Sequence, residues 1–371
     1  MKKIGITGVN GFVGQHLFNT LLQDKNNSII PFRRDFFENE LKMDNFVENC
    51  DVIVHLAGLN RSNSEEVIYN TNISLTKALI SSLDRTNSKP HIIFASSTQE
   101  YLNNVYGESK KICRLNLKDW SQLNNSIFTG LIVPNVFGPF GIPFYNSFIS
   151  TFSYQLINND KPVIKSDSEV NLIYIDELIS EITDVINHPV TDEFYKIKHT
   201  SSRKVTEVLN LLKSFKDEYI DNGQIPQVEL NSFELNLFNT FRSYISKKTF
   251  PRNYTQHIDD RGSFVEIMRA GTAGQSSYST TLPGVTRGNH YHTRKIERFA
   301  VISGLASIKL RKIDSDEIIE YILDGKSPSY VDMPVWYTHN ITNIGNSELI
   351  TLFWINEPYN SEDSDTFFIK V

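Results

Sequence analysis

Cysteine is scarce: Cys50 and Cys113 are the only two in the chain, too few and too unpatterned for a disulfide framework or a thiolate metal site. They are expected as buried thiols in a reducing compartment, which points to the cytoplasm. No run of like charge exceeds a few residues. The net charge of −6 and a pI near 5.9 exclude non-specific nucleic-acid binding and leave room only for a local basic pocket. Long apolar runs are missing too. Lys2 and Lys3 open the chain, but Thr7, Gly8 and Asn10 interrupt the apolar residues after them before a signal-peptide core forms, so no export is expected. Residues 120–159 lack Asp, Glu, Lys and Arg, yet Pro134, Gly138, Pro139, Gly141 and Pro143 break them up. That stretch reads as a buried strand followed by loops, with no membrane span.

What is present fits two domains, since 371 residues exceed the usual single domain and each half could bury a core. Lys3–Thr7 reads as a short buried strand, and Val13, Leu17, Leu21 and Leu22 mark a helix after it. Between them Gly8, Gly11 and Gly14, with Phe12 and Val13 inside the turn, form a Gly-x-x-Gly-x-x-Gly pattern. Such a turn lets backbone amides approach a pyrophosphate at a helix N-terminus, and its place between strand and helix predicts dinucleotide binding. The second strand, near Ile29–Arg33, ends in Arg33-Arg34-Asp35. A carboxylate there takes ribose hydroxyls, whereas arginine takes a 2′-phosphate, so Arg33 and Arg34 favour NADPH, with Asp35 pulling the other way.

The third strand, Val52–His55, leads into Leu56, Ala57 and Gly58 beside the expected cofactor cleft, and His55 reads as a satisfied core histidine. A helical stretch around Asn72–Leu83 follows, then the strand Ile92–Ser96 with Ser97 at its tip, a helix bearing Tyr106 and Lys110, and the strand Phe128–Val133. This alternation predicts an α/β doubly wound parallel sheet whose ligands bind beyond the strand C-termini. Tyr106 and Lys110 stand four apart, on one helix face. A cation beside a phenol favours phenolate, which is expected to bring Tyr106 towards proton exchange near neutrality. The same spacing recurs at Tyr244/Lys248 and Tyr291/Lys295; the glycine turn and the serines Ser96 and Ser97 single out Tyr106.

After Lys247–Pro251 the texture changes to short alternating strands with Gly and Pro turns, an all-β module. The expected domains are therefore 1–245 and 246–371. His290 and His292 alternate on a strand, so both rings should leave one face; Glu297 and His339 would complete a three-histidine, one-carboxylate set. That set suits one zinc or another divalent transition ion.

These motifs carry a resemblance. Thr7–Gly14, His55–Gly58, the Ser96-Ser97 strand end, Tyr106-x-x-x-Lys110, Asn135–Pro139 and Tyr174–Asp176 fall in the order of an extended short-chain dehydrogenase/reductase of the nucleotide-sugar type. The resemblance implies that Tyr106 is the acid or base, that Lys110 holds the nicotinamide ribose, and that Ser97 orients the substrate carbonyl, with Ser96 as the alternative. Ile132 stands where that family often has an arginine. Residues 284–304 and 334–343 resemble the two cupin motifs, with Trp336 where cupins commonly place glycine. Nothing identifies an epimerisation base by resemblance.

The two halves together, including Gly58–Arg61 and Asp259–Phe264, resemble a family of bifunctional capsular-polysaccharide enzymes. The resemblance implies a UDP-linked 2-acetamido-2,6-dideoxy-4-hexulose as substrate. The cupin would epimerise C3, and the reductase would then use NADPH at C4 to give the 6-deoxy-L-talose sugar, on the route to UDP-N-acetyl-L-fucosamine. A homodimer is the expected assembly. The alternative is a single-activity reductase or epimerase with the cupin as a non-catalytic dimerisation or sugar-sensing module.

Overall fold

The computed structural model describes residues 1–255, 257–259, 262–264, 274–357 and 360–371, and divides into two compact units. Residues 1–151 and 164–206 form the first; residues 152–163 and 207–371 form the second.

In the first unit six parallel strands lie in the order β2-β1-β3-β4-β5-β8: β1 (Lys2–Thr7), β2 (Asn27–Ile30), β3 (Val52–His55), β4 (His91–Ser97), β5 (Phe128–Val133) and β8 (Asp192–Lys196). β3 and β5 are buried along their whole length, as strands covered on both faces must be, and their sequences are correspondingly near-continuous apolar runs. Helices α1 (Phe12–Leu21), α2 (Glu40–Glu48), α3 (Glu65–Thr86) and α4 (Val105–Asn124) connect them. Asn39, Ser64 and Asn104 cap α2, α3 and α4 through their side chains, whereas α1 begins after Gly11 with no side-chain cap and no acid in its first turn. Phe32, Phe46, Leu79, Leu83, Phe94, Leu117 and Trp120 pack one core between sheet and helices. A second, three-stranded sheet, β6-β7-β9, comprises β6 (Asn135–Phe137), β7 (Glu169–Tyr174) and β9 (Ser201–Lys204). α6 (Ile175–Asn187) follows β7 with one buried apolar stripe.

Two elements differ from their expected form. β2 stops at Ile30, because Pro31 supplies no N–H to a ladder, and Arg34 instead opens a 3-10 turn, Arg34–Glu38, with Arg33 at its N-cap. The uncharged stretch after β5 is also not all loop: Phe148–Ile157 forms α5.

The second unit holds α7 (Val205–Phe215) from residue 207 onward, a π-turn at Lys216–Asp221, and α8 (Phe233–Arg242). Two five-stranded antiparallel sheets come after these helices. One has the order β10-β18-β15-β20-β13, with β10 (Arg252–Asn253), β13 (Gln275–Thr281), β15 (Glu297–Ser303), β18 (Ser329–Met333) and β20 (Leu349–Ile355). The other has the order β17-β16-β19-β14-β21, with β14 (Thr286–Tyr291), β16 (Leu305–Lys312), β17 (Ile318–Asp324), β19 (Tyr337–Asn343) and β21 (Phe367–Phe368). β11 (His257–Asp259) and β12 (Gly262–Phe264) form a separate ribbon; the remainder of the Asp259–Phe264 motif, residues 260 and 261, lies outside the described residues. Val301, Val331 and Met333 from the first sheet meet Ile308, Leu310 and Ile341 from the second in one core, the cupin-like arrangement expected.

The helices of 207–242 belong to this compact unit, although the change of sequence texture falls at 245/246. Their polar side chains tie them to the β-structure. Tyr219 donates to Asp332, Arg242 donates to the Met333 carbonyl, and Asn239 Nδ2 donates to the Arg294 carbonyl at 3.1 Å. Asp332 and Arg298 are a buried bidentate pair at 2.8 and 3.0 Å, and Arg298 also reaches the Gly223 carbonyl at 3.0 Å.

Candidate functional site

In the first unit β1 and β3 are neighbours, and the strand order reverses there: β2 lies on one side of β1, β3 and the later strands on the other. Ligands of open α/β sheets bind at such a switch point. Gly8 ends β1 with φ +75, and a Cβ on it would stand 2.7 Å from the Ala57 amide nitrogen. Only glycine lets these two backbones pass so closely. Thr7 Oγ1 ties the strand ends together, meeting His55 Nδ1 at 2.7 Å and accepting from Ala57 N at 3.3 Å. Gly8 thus sits beside Leu56 and Ala57, Gly11 and Gly14 close against the Gly8 carbonyl, and Phe12 and Val13 open α1. His55 is fully buried, and burial, with Lys110 adding, holds its pKa near 3. It is a neutral, hydrogen-bonded core imidazole.

Arg33 and Arg34 are exposed just beyond β2, with Arg33 Nε 3.3 Å from Asp35 and Lys42 Nζ 2.7 Å from the same carboxylate. Asp35 is thereby engaged by two cations, which keep its carboxyl below the usual range; the hydrogen bond from Lys42 is the main cause.

The C-terminal end of β4 divides the two serines. Ser96 is buried and donates to Glu100, while Ser97 Oγ accepts from Gln99 N at 3.2 Å at the start of the 3-10 turn Thr98–Tyr101. That turn packs on the first turn of α4, where a Cβ on Gly107 would lie 2.0 Å from the Gln99 carbonyl oxygen. Any side chain at 107 would push the Tyr106 helix off the Ser97 turn. Glu100 in turn accepts a two-pronged ion pair from Arg114 (Nε 3.0 Å, Nη2 2.8 Å), both side chains being at most 2% exposed. Arg114 lies one turn beyond Lys110 on the same helix face, and reading Tyr106, Lys110 and Arg114 as one i, i+4, i+8 row would have flagged it.

Lys110 is buried, its ammonium 4.2 Å from the Phe94 ring centroid and 3.8 Å from where a Gly58 Cβ would be. Burial lowers its pKa to about 8 despite the pull of Cys113 and Glu100. Tyr106 departs from expectation. Burial, with the Tyr145 phenol adding, pushes it up to about 12, opposite to the direction a lysine one turn away would give. At neutral pH it is therefore a phenol, the form that donates a proton. Arg61 Nη1 donates to the Phe144 and Tyr145 carbonyls at 2.5 and 2.6 Å and so fixes the loop that carries Tyr145.

The second unit brings His290, His292, Glu297 and His339 together, with one ligand atom of each within 4.8 Å of the others. β14 ends at Tyr291, so His292 follows the strand rather than lying on it, and a bulge at Gly288–His290, with Asn289 at φ +64, aims His290 at its neighbours. The His290 ring lies 5.0 Å from that of His292 and 4.6 Å from that of His339. Glu297 enters from the opposite sheet. Its Oε2 is 3.0 Å from His292 Nε2 and 3.1 Å from His339 Nε2. Burial would raise the Glu297 carboxyl, but the two histidines win and hold it well below the usual range. Burial, helped by His339 and His292, lowers His290 to about 3. His339 Nε2 is buried and makes no aligned hydrogen bond, despite its contact with Glu297. Three imidazoles and one carboxylate with their donor atoms gathered in this way are a donor set that could hold a zinc-type ion.

Two family models match the chain. Residues 4–197 match the NAD dependent epimerase/dehydratase family, and residues 257–367 match the polysaccharide biosynthesis C-terminal domain. A Pseudomonas aeruginosa protein described as UDP-2-acetamido-2,6-beta-L-arabino-hexul-4-ose reductase is 30% identical over 100% of this chain and 99% of its own length. The crystal structure of the capsular polysaccharide assembling protein CapF from Staphylococcus aureus aligns over 100% of both chains, with 32% identity and a TM-score of 0.63. The chain is a CapF-like member of the NAD dependent epimerase/dehydratase family. A Bacillus cereus UDP-N-acetylglucosamine 4-epimerase shares the fold of 65% of the chain at 17% identity and a TM-score of 0.54.

Against that CapF-like background, Trp336 explains itself. It adopts φ +62, the left-handed region where glycine is easiest, and its amide donates to the His292 carbonyl at 2.8 Å. The indole is 3% exposed and stacks on Tyr291 with ring centroids 5.7 Å apart. Packing thus holds a conformation that the side chain disfavours, and His339 keeps its place three residues on. Ile132 is fully buried in β5, so no polar group is offered from that position.

Proposed function

We propose that the chain is a bifunctional nucleotide-sugar enzyme of capsule-type polysaccharide synthesis. The first unit reduces the C4 ketone of a UDP-2-acetamido-2,6-dideoxy-4-hexulose with NADPH, after the second unit has epimerised C3. The product is UDP-2-acetamido-2,6-dideoxy-L-talose. The observation that carries the reduction is the joining of Ser97, Tyr106 and Lys110 through one turn at the C-terminal end of β4, next to the glycine-lined switch point. Support for the substrate class comes from the Pseudomonas relative, which is matched over the whole chain and is described as a reductase of such a UDP-hexulose.

The nicotinamide, when bound at this switch point, would be the hydride source for C4. Tyr106, protonated at neutral pH, gives its proton to the C4 oxygen, so the carbonyl gains a hydrogen at carbon and another at oxygen. Ser97 orients that oxygen; Ser96, buried and bonded to Glu100, is already committed. Lys110 holds the nicotinamide ribose and supports the phenolate that forms. Arg33 and Arg34, exposed past β2, receive a 2′-phosphate, with Asp35 engaged by Lys42. In the second unit His290, His292, Glu297 and His339 would hold one divalent transition ion, zinc by donor type, and such an ion would supply Lewis-acid stabilisation of negative charge on oxygen.

The order of steps is dictated by acidity, since the C3 proton is labile only while C4 is a ketone. The buried free thiols of Cys50 and Cys113 support a reducing, cytoplasmic setting. Among the described residues no helix is long and apolar enough to cross a membrane. A homodimer is the proposed assembly. The test is incubation with a panel of UDP-4-ketosugars and NADPH: turnover of the 2-acetamido-2,6-dideoxy substrate with deuterium entering C3 from solvent supports the reading. Reduction without C3 exchange would make the cupin-like unit non-catalytic.

A further inference from the structure

Asp365 lies 73 residues beyond His292 in sequence, yet its backbone carbonyl accepts a hydrogen bond from His292 Nδ1 at 2.5 Å. A carbonyl only accepts, so this bond places a proton on Nδ1, and Nε2 is the nitrogen turned to Glu297 and the cluster, the one that would ligate an ion held there. The Asp365 side chain acts on the connection between two of the four ligands. Its carboxylate accepts from three consecutive amides, Thr293 N at 3.0 Å, Arg294 N at 3.0 Å and Lys295 N at 3.1 Å, and from Thr293 Oγ1 at 2.6 Å. Three amides turned onto one carboxylate form an anion-holding nest. Further bonds lock the same two segments together. Arg294 forks onto Asp363 at 3.0 and 2.9 Å, and Lys295 Nζ donates to the Ser364 carbonyl at 2.6 Å. Asp365 is 5% exposed and adopts φ +41, a backbone that Asp and Asn tolerate better than most residues.

We propose that Asp365 is a positioning residue of the metal centre: its carboxylate sets the 293–295 turn between His292 and Glu297, and its carbonyl fixes the His292 ring. The proposal rests on the reading that the four-residue cluster holds a metal. Hydrogen-bond partners of this kind typically change metal affinity by about 10- to 100-fold when lost.

The test uses the full chain with Zn2+ in competition with a chromophoric chelator, and the visible spectrum of the Co2+-loaded protein. Asp365→Ala is expected to weaken Zn2+ by about 10- to 100-fold and to shift the Co2+ bands, because the 293–295 turn that spaces His292 from Glu297 loses its carboxylate anchor while the backbone carbonyl stays. Asp365→Asn keeps one acceptor oxygen and the backbone preference, so it should fall between the parent and Asp365→Ala. Asp363→Asn, whose carboxylate among the described residues pairs with Arg294, should bind Zn2+ within about twofold of the parent, well below that range. A folded Asp365→Ala protein with parental Zn2+ affinity and Co2+ spectrum would overturn the proposal. Should Asp365→Ala fail to fold, parental behaviour in Asp365→Asn would do the same. A parent chain that binds no Zn2+ would overturn the metal reading itself and this inference with it.

Discussion

Replacing Lys110 by Met isolates the cost of burying an ammonium at the reductive site. Burial brings the lysine from its ordinary 10.5 down to about 8, and the side chain is 5% exposed, so little solvent screening discounts the effect. At about 1.4 kcal/mol per pH unit, that gap amounts to roughly 3 kcal/mol of stability surrendered at neutral pH. The sign follows from linkage. Below about 8 the cost is present in full; between about 8 and 10.5 the unfolded chain binds more protons than the folded one, so stability rises with pH; above 10.5 the cost is gone. Lys110→Met should therefore be more stable than the parent at pH 7 by up to roughly 3 kcal/mol, less whatever the imperfect fit of the thioether takes back. Near pH 10.5 the advantage should vanish. Denaturant unfolding followed by Trp120, the only tryptophan of the first unit, measures this difference at both pH values. The same variant should lose NADPH oxidation. Equal stability differences at the two pH values, or a variant weaker at pH 7 than at pH 10.5, would refute the reasoning.

The same geometry has other consequences. Glu100→Gln should destabilise the first unit by about 3–5 kcal/mol, because Arg114 would be left as a buried, poorly compensated cation, and thermal unfolding will show it. Neutral replacements of both Arg33 and Arg34 should raise KM for NADPH far more than KM for NADH; equal losses would show that they do not read the 2′-phosphate. His290→Ala and His339→Ala should each lose most of the bound metal on elemental analysis, and undiminished content in both would return these rings to ordinary core packing.

Legibility in the sequence tracks the range of the physics involved. β3 and β5 are readable to the residue because strands buried on both faces are written as short, near-continuous apolar runs. The glycine turn and the four ligand-type positions are readable because their chemistry demands fixed residue types at fixed spacing. The direction of the Tyr106 shift is not, since spacing announces the neighbouring lysine and says nothing of burial. α5 hides behind a stretch punctuated by Pro, Gly and Asn. The helices of 207–242 look like a continuation of the first domain because their hydrophobic stripes do not reveal the surface they pack on; the Tyr219–Asp332 bond, 113 residues apart, does. Asp365 is illegible for the same reason, being one aspartate among many until the fold sets it against three amides.

The central claim, that one chain carries two separable activities, is tested most directly by Tyr106→Phe assayed in D2O with the UDP-4-ketosugar. Removing a positioned general acid costs about 10²–10⁴ in rate, so NADPH oxidation should fall by that factor while deuterium continues to enter C3 at the parental rate. Loss of C3 exchange together with reduction, in a protein that remains folded, would mean that the two reactions share one site and would contradict the account.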